Sequence, residues 1–357
     1  MTLQRLNIEN FRCISQATLE FDARCNLITG ANASGKTSLL EAFFFLGRGR
    51  SFRTTRRDGL VKQGTDTFTL QGDVITAGRS SPIGMRVSRE RMEARYAGGR
   101  VSGLAELASV LPVQAIDPEV HRLVEDGPRE RRRYLDWGVF HVEHRFVDRW
   151  RRYQKALKQR NAALRAGRPT PEIRAWETEF VEAGELVSES RQQYFELLQA
   201  SVTEVAKRLL RADLELELRK GWASNRDLAL ALRHSEDRDR LMGATQVGPH
   251  RADVSLRVSG GPARERVSRG QQKLLAASLL LGQLRCNAEL GSDVAALLVD
   301  DPAAELDAAN FELLLEEIVS LPSQLFVTAL DEKNPALRRL NANAMFHVEH
   351  GAVAALV

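Results

Sequence analysis

The chain of 357 residues is 43% hydrophobic and 27% charged, with a formal net charge of +4; this balance fits a folded two-domain chain and excludes a disordered or collagenous one. Three widely spaced cysteines (Cys13, Cys25, Cys286) with no C-x-x-C pair argue against a disulfide framework or zinc ribbon. No apolar run approaches the ~20 residues of a membrane helix, and MTLQRLNIENFR has no signal-peptide core. A cytoplasmic protein without a membrane partner is therefore expected.

Strands come first. Leu6 and Ile8 alternate with polar neighbours, residues 18–21 alternate again, and 26–29 run into a glycine. That glycine opens GANASGKT, Gly30 to Thr37, which fits G-x-x-x-x-G-K-[ST] between a strand and an apolar helix. In this pattern the backbone N–H groups of Gly30, Ala31, Asn32, Ala33, Ser34 and Gly35 wrap a phosphate at a helix N-terminus, with Ser38 in the first turn. Lys36 reaches the β- and γ-phosphates, and Thr37 offers its hydroxyl to Mg²⁺. ATP and Mg²⁺ are the expected cofactors. The helix continues to Leu46, with Leu39, Leu40, Phe43 and Phe44 as its apolar side.

Arg48, Arg50, Arg53, Arg56 and Arg57 follow within ten residues that contain no acid, and are candidate DNA contacts. Strand-like pieces at 67–75 and 84–87 with glycine turns at Gly98 and Gly99 point to a partly antiparallel sheet. Gln114, in PVQAIDPE, is the candidate metal-sensing glutamine.

From about Pro128 to Leu218 glycine becomes scarce and apolar residues recur every three or four positions, as helices require. Two helices flank AGRPTPE; 172–211 as one helix would span roughly 60 Å unless Gly184 breaks it. Between Arg129 and Arg160 there are 11 basic and 4 acidic residues. Arg131, Arg132 and Arg133 are candidate contacts to duplex phosphates; the competing reading for the run is a helix face paired with local acids. FHVEH occurs at 140–144 and again at 346–350, and reads as coincidence rather than a metal motif.

Strand-and-glycine character returns after Arg240. VSRGQQK opens an apolar helix to about Leu284, with Ser268 suited to the N-cap. The buried-type strand 295–299 then ends in Asp300 and Asp301. Asp300 is placed for the Mg²⁺ shell and Asp301 for polarising the attacking water. MFHVEHGAVAALV reads as a closing β-hairpin.

These pieces resemble the ABC class of ATPases, in which a serine- and glycine-containing signature precedes the acidic strand by some thirty residues. Here Ser268 lies 32 residues before Asp300. The resemblance assigns Ser268, Arg269, Gly270 and Gln271 to a signature that docks on another subunit's nucleotide. With one phosphate loop per chain, it implies an ATP-dependent homodimer. Glu305 to Asp307 resembles the loop that crosses such an interface, with Asp307 as its contact. The signature reads S-R-G-Q rather than S-G-G-Q, and Thr328 stands about where other ABC proteins carry a histidine, consistent with slow turnover.

NIENFR, GRSFRTTRRDGLVKQG, DGPRERRRYLD and GPHRADV together resemble the RecF family of DNA-recombination and repair ATPases over essentially the whole chain. By that resemblance Arg12 reaches the bound nucleotide. The fold implied is α/β: an ABC-type ATPase head with a mixed sheet (parallel core plus antiparallel subdomain), and an inserted helical lobe with a short hairpin. The head would comprise 1–120 and 241–357, and the insert 121–240. The implied function is a weak, DNA-dependent ATPase switch that binds duplex, gapped or junction DNA and works with RecR, RecO and RecA in repairing gaps and stalled forks. An ATPase-nuclease would need a further acidic cluster, and a transporter subunit leaves the helical insert unexplained.

Overall fold

The computed structural model describes residues 1–292, 295–304, 306–331 and 333–356. Of the expected interface loop, Glu305 lies outside these residues. The first third contains β1 (Thr2–Phe11), β2 (Ile14–Glu20), β3 (Cys25–Thr29) and α1 (Lys36–Arg48). It continues with β4 (Thr67–Thr76), β5 (Arg79–Ser88), β6 (Met92–Tyr96), β7 (Gly99–Arg100), α2 (Leu104–Val110) and β8 (Val113–Ile116). The middle holds α3 (Arg122–Glu125), α4 (Pro128–Val142), α5 (Phe146–Arg165), α6 (Thr170–Arg174) and α7 (Glu177–Leu210). After it come β9 (Leu214–Arg219), α8 (Leu228–His234), α9 (Glu236–Met242), β10 (Asp253–Val258), β11 (Gly261–Pro262), α10 (Ala263–Arg266) and α11 (Arg269–Glu289). The chain closes with β12 (Ala296–Val299), α12 (Ala308–Ser320), β13 (Leu325–Ala329), β14 (Ala344–Glu349) and β15 (Ala352–Ala355).

Contacts divide the chain into two compact units, Met1–Val120 with Asp293–Val357, and His121–Ser292. Residues 241–292, expected in the head, belong to the helical unit. The reason is pairing across long sequence gaps: β10 is antiparallel to β9, and Gly282 of α11 lies so close to α7 that a Cβ there would meet Val202 Cα at 2.6 Å.

The discontinuous unit contains two six-stranded sheets. One, in the order β2-β1-β4-β5-β6-β7, is antiparallel throughout. The other, β15-β14-β3-β13-β12-β8, is parallel except for β15. The sequence suggests one apolar side for α1, yet 12 of its 13 residues are buried, Leu39 and Phe43 among them. Phe43 packs on Phe326 of the parallel sheet (4.5 Å between ring centres), while Phe45 packs on Phe68 of the antiparallel one (5.3 Å). Buried on all sides, the helix packs against both sheets, and each buried apolar side chain contributes roughly 1.5–3 kcal/mol. The closing hairpin forms through His350 and Gly351, both with positive φ (47° and 80°), as a two-residue turn between right-twisted strands prefers.

In the helical unit α7 runs 34 residues without interruption. Gly184 does not break it: the residue is buried at a close packing point, where a Cβ would lie 2.7 Å from Leu228. Burial of that contact outweighs the weak helix propensity of one glycine.

Candidate nucleotide site

Parallel strands converge at their C-terminal ends, and two of them deliver the site. β3 ends at Thr29 and passes into the loop 30–35, and α1 begins at Lys36. The loop needs its glycines. Gly30 has φ 150° and a Cβ there would sit 2.3 Å from the Val348 carbonyl; Gly35 has φ 120° and a Cβ would touch Cys13 Sγ at 3.0 Å. Ala33 also takes a left-handed φ of 62°. Ala31, Asn32 and Ala33 are exposed, whereas Ser34, Lys36 and Ser38 are buried. The Ser34 N–H closes a turn onto the Ala31 carbonyl (3.2 Å), and Gly351 N–H donates to the Ser34 carbonyl (2.8 Å), fixing the loop to the final hairpin.

Lys36 Nζ donates to the carbonyls of Gly30 (2.6 Å) and Ala31 (2.9 Å). Burial lowers its pKa, offset by the nearby Asp301 and Asp300 carboxylates. The Ser34 hydroxyl is buried with no partner, as expected of a donor built for an oxyanion. Thr37 Oγ1 donates to Asp300 Oδ2 at 2.8 Å, so the hydroxyl's proton faces the carboxylate and its lone pairs remain for a cation. Burial raises the Asp300 pKa, against hydrogen bonds from Thr37 and Thr328. A hydroxyl and a carboxylate are hard oxygen donors that suit Mg²⁺. No group of three or more His, Cys, Asp or Glu able to hold a metal occurs among the described residues. Such an ion would therefore take its remaining ligands from phosphate and water.

Asp301 follows with φ 46°, a left-handed conformation that aspartate tolerates better than most residues. The glutamine expectation fails on register. Gln114 pairs with Leu297 on β12, three residues before Asp300, while it is the Ile116 carbonyl that accepts the Asp300 N–H. Gln114 is buried and accepts from Arg48 Nη2 (3.1 Å), away from the strand end. Asp117 directly follows β8, one residue beyond the Val299–Ile116 pair and so level with Asp300.

Glu41 is a site residue that the sequence reading missed. It is fully buried on α1 and receives Arg12 in two-pronged fashion, from Nε (2.8 Å) and Nη2 (2.7 Å). Arg12 Nη1 donates to the Gly59 carbonyl, so its guanidinium is committed and would have to leave Glu41 to reach a nucleotide. Ser51 also donates to Glu41, and Arg53 lies 3.7 Å from it. The charge of Arg53 also offsets a small part of the burial-driven rise in the Asp300 pKa. The available signal was a lone acid inside the apolar run LLEAFFFL, since a buried carboxylate must be paired.

The other arginine candidates separate. Arg48 is buried and donates to the Val113 carbonyl (2.9 Å), so it is structural. Arg50 and Arg56 are exposed, Arg56 loosely facing Asp58 at 3.7 Å, and Arg57 is half-buried. In the helical unit Arg131 grips Asp253 (2.8 and 3.1 Å) and Arg132 donates to the Ala252 carbonyl (2.6 Å). Both serve the fold by joining the DGPRERRRYLD and GPHRADV stretches. Only Arg133 of that trio points to solvent, paired with Glu130. Arg151 and Arg152 are likewise paired with Asp148 and Glu179, which favours the paired-face reading of that run.

In the same unit Ser268 caps α11 in a capping box: its hydroxyl accepts from Gln271 N–H (3.4 Å), and Gln271 Oε1 accepts from Ser268 N–H (2.9 Å). Ser268, Arg269 and Gln271 are exposed and Gly270 partly so. Asp307 is the N-cap of α12, accepting from the Asn310 N–H at 2.8 Å. No helix among the described residues is long and apolar enough to cross a membrane.

The family described as RecF/RecN/SMC N terminal domain matches residues 2–352. The chain is 40% identical over 357 residues to the DNA replication and repair protein RecF of Shewanella oneidensis, covering 99% of each. It is 40% identical over 364 residues to that of Stenotrophomonas maltophilia, covering all of both chains. A solved structure of the recombination mediator protein RecF with ATP, of the RecFOR pathway, superposes with a TM-score of 0.89 at 26% identity, covering 100% of this chain and 98% of that one. An SMC head bound to the C-winged helix domain of ScpA shares the fold alone, with a TM-score of 0.61 at 16% identity over 100% and 97% of the two chains. The chain belongs to the RecF family of DNA replication and repair proteins, within the SMC-like class of ABC-type ATPases.

Proposed function

We propose that this protein is an ATP-driven DNA clamp and recombination mediator. ATP binds in the loop 30–38, where Thr37 and Asp300 would hold Mg²⁺, and two copies close through the signature Ser268–Gln271, each completing the other's nucleotide pocket. The observation that carries the nucleotide reading is the 2.8 Å Thr37–Asp300 contact beside a loop whose Ser34 hydroxyl has no partner. The exposed, capped start of α11 supports docking, because a helix N-terminus with accessible N–H groups receives anions.

When bound, Mg²⁺ supplies charge neutralisation on the β- and γ-phosphates. The chain's own groups do the rest. Lys36 exchanges its loop carbonyls for phosphate oxygens. Asp301 orients a water and accepts its proton as the water oxygen bonds to the γ-phosphorus; the bond to the β–γ bridging oxygen breaks, and ADP and phosphate leave. Thr328 cannot offer the γ-phosphate an imidazole contact, which is consistent with slow hydrolysis that resets the clamp. DNA, as duplex, gap or junction, is held through the exposed Arg50 and Arg56 and the half-buried Arg57. RecR, and through it RecO and RecA, are the expected partners.

Ser268→Arg tests the clamp. Fluorescent-ATP affinity should stay within about twofold, because the residue is outside the protein's own phosphate loop, while sedimentation with ATP should show monomers only. ATP-induced dimers of that variant would discard the shared-site scheme. Titration of duplex, single-stranded and gapped DNA at two salt concentrations ranks the DNA forms.

A further inference from the structure

Thr328 is the least conspicuous residue of the site and the one that touches both of its strand-end acids. It lies on β13, the strand between β3 and β12, and is wholly buried. Register sets it beside Ile28 on β3, one residue beyond the Val299–Val327 pair on β12, and therefore level with Asp300. Its hydroxyl has one proton and two lone pairs. The proton goes to Asp300 Oδ1 at 2.8 Å, and a lone pair accepts the Asp301 N–H at 2.7 Å. The other Asp300 oxygen takes the Thr37 proton. Both oxygens of the carboxylate are thus pinned from opposite neighbours, and the left-handed turn at Asp301 is anchored by the same hydroxyl.

Resting on the nucleotide reading above, we infer that Thr328 is a positioning residue for hydrolysis: it fixes the Asp300 carboxylate so that Thr37 turns its lone pairs outward to the cation, and it holds the turn that aims Asp301. A residue that merely filled space in the core would need a methyl-sized branch, and valine would serve as well. One that only satisfied buried polar groups would affect stability and leave metal demand unchanged. Positioning instead makes the metal-dependent and chemical steps sensitive to the hydroxyl, while metal-free nucleotide binding is not.

The experiment compares Thr328→Val, which keeps the shape, with Thr328→Ser, which keeps the hydroxyl, in the full-length protein. Affinity for a fluorescent ATP analogue is measured in EDTA and across a Mg²⁺ titration, beside kcat, KM and thermal melting. The valine variant is expected to bind the analogue in EDTA within about twofold of wild type. It should need at least about fivefold more Mg²⁺ to tighten that binding, and lose roughly 10- to 100-fold in kcat with KM changed less than about threefold, the range for loss of a hydrogen bond to a charged group. Serine should restore kcat to within about threefold, since its hydroxyl carries the same donor and acceptor. Unchanged Mg²⁺ demand and kcat in the valine variant would overturn the inference, as would a folded serine variant as impaired as valine. If valine does not fold, Thr328→Cys, with a weak donor of similar size, takes its place and must show the same split. A wild-type protein that binds no analogue at all would instead remove the nucleotide reading itself.

Discussion

The hydroxyl of Thr37 meets the carboxylate of Asp300 at 2.8 Å although 263 residues separate them. The contact joins the first turn of the phosphate-loop helix to the end of the acidic strand, and it makes Asp300 the point where charge matters most. Asp300→Asn keeps the shape and removes the charge. Metal-free ATP binding should be retained, and Mg²⁺-dependent hydrolysis should fall roughly 10- to 100-fold, because charged contacts contribute roughly 1.5–3 kcal/mol and 1.36 kcal/mol is a tenfold change. Initial rates and EDTA binding together check this.

Arg131 and Arg57 were equal candidates in the sequence and should now behave differently. Arg131→Ala strands the Asp253 carboxylate and should cost about 1–3 kcal/mol in urea unfolding, with a double-mutant cycle against Asp253→Ala showing coupling. Arg57→Ala should leave stability within about 0.5 kcal/mol and lower the salt dependence of DNA binding by about one ion. An unchanged salt slope would remove Arg57 from the DNA surface.

His250 makes the helical unit acid-sensitive. Its Nε2–H donates to the Thr245 carbonyl (2.9 Å), so in the neutral ring Nδ1 accepts from the Tyr153 hydroxyl (2.5 Å). Burial, with Arg251, Arg132 and Arg191 nearby, lowers its pKa to about 4. The unfolded chain therefore takes up a proton near pH 6.5 that the folded one refuses. The stabilisation is complete above pH 6.5 and lost progressively toward pH 4, in total about 3 kcal/mol. His250→Gln, which does not titrate, should flatten that portion of the curve when urea midpoints are compared between pH 7 and pH 4.5.

Gly282 tests the packing that moved the domain boundary. Gly282→Leu would drive a side chain into the Val202 backbone and should destabilise the helical unit by at least about 1–3 kcal/mol, read as a lower melting temperature. The opposite glycine, Gly291, has nothing within 4 Å of its would-be Cβ, but its φ of 74° favours glycine. It is therefore a poor control; Gly127, equally open and without that constraint, should tolerate alanine.

Some of this was written in the residues themselves. The phosphate loop, the acidic strand end and the capped start of α11 are local patterns, because backbone N–H groups, glycine conformations and caps act over a few neighbours. Periodicity showed the long helix as 172–211 unless Gly184 broke it, whereas the structure has α7 unbroken over 177–210. Which arginines face inward was decided elsewhere. Arg48, Arg131 and Arg132 look like surface charge until their carbonyl and carboxylate partners, 65 to 122 residues away, are folded against them. Gln114 failed for the same reason, since strand register is a property of the sheet and not of the strand. The sequence by itself determined the chemistry the chain could attempt, through short-range rules. The tertiary structure alone decided which groups share one space: Glu41 with Arg12, and Thr328 with both aspartates. Long-range pairing and burial, which leave no periodic trace, set those meetings.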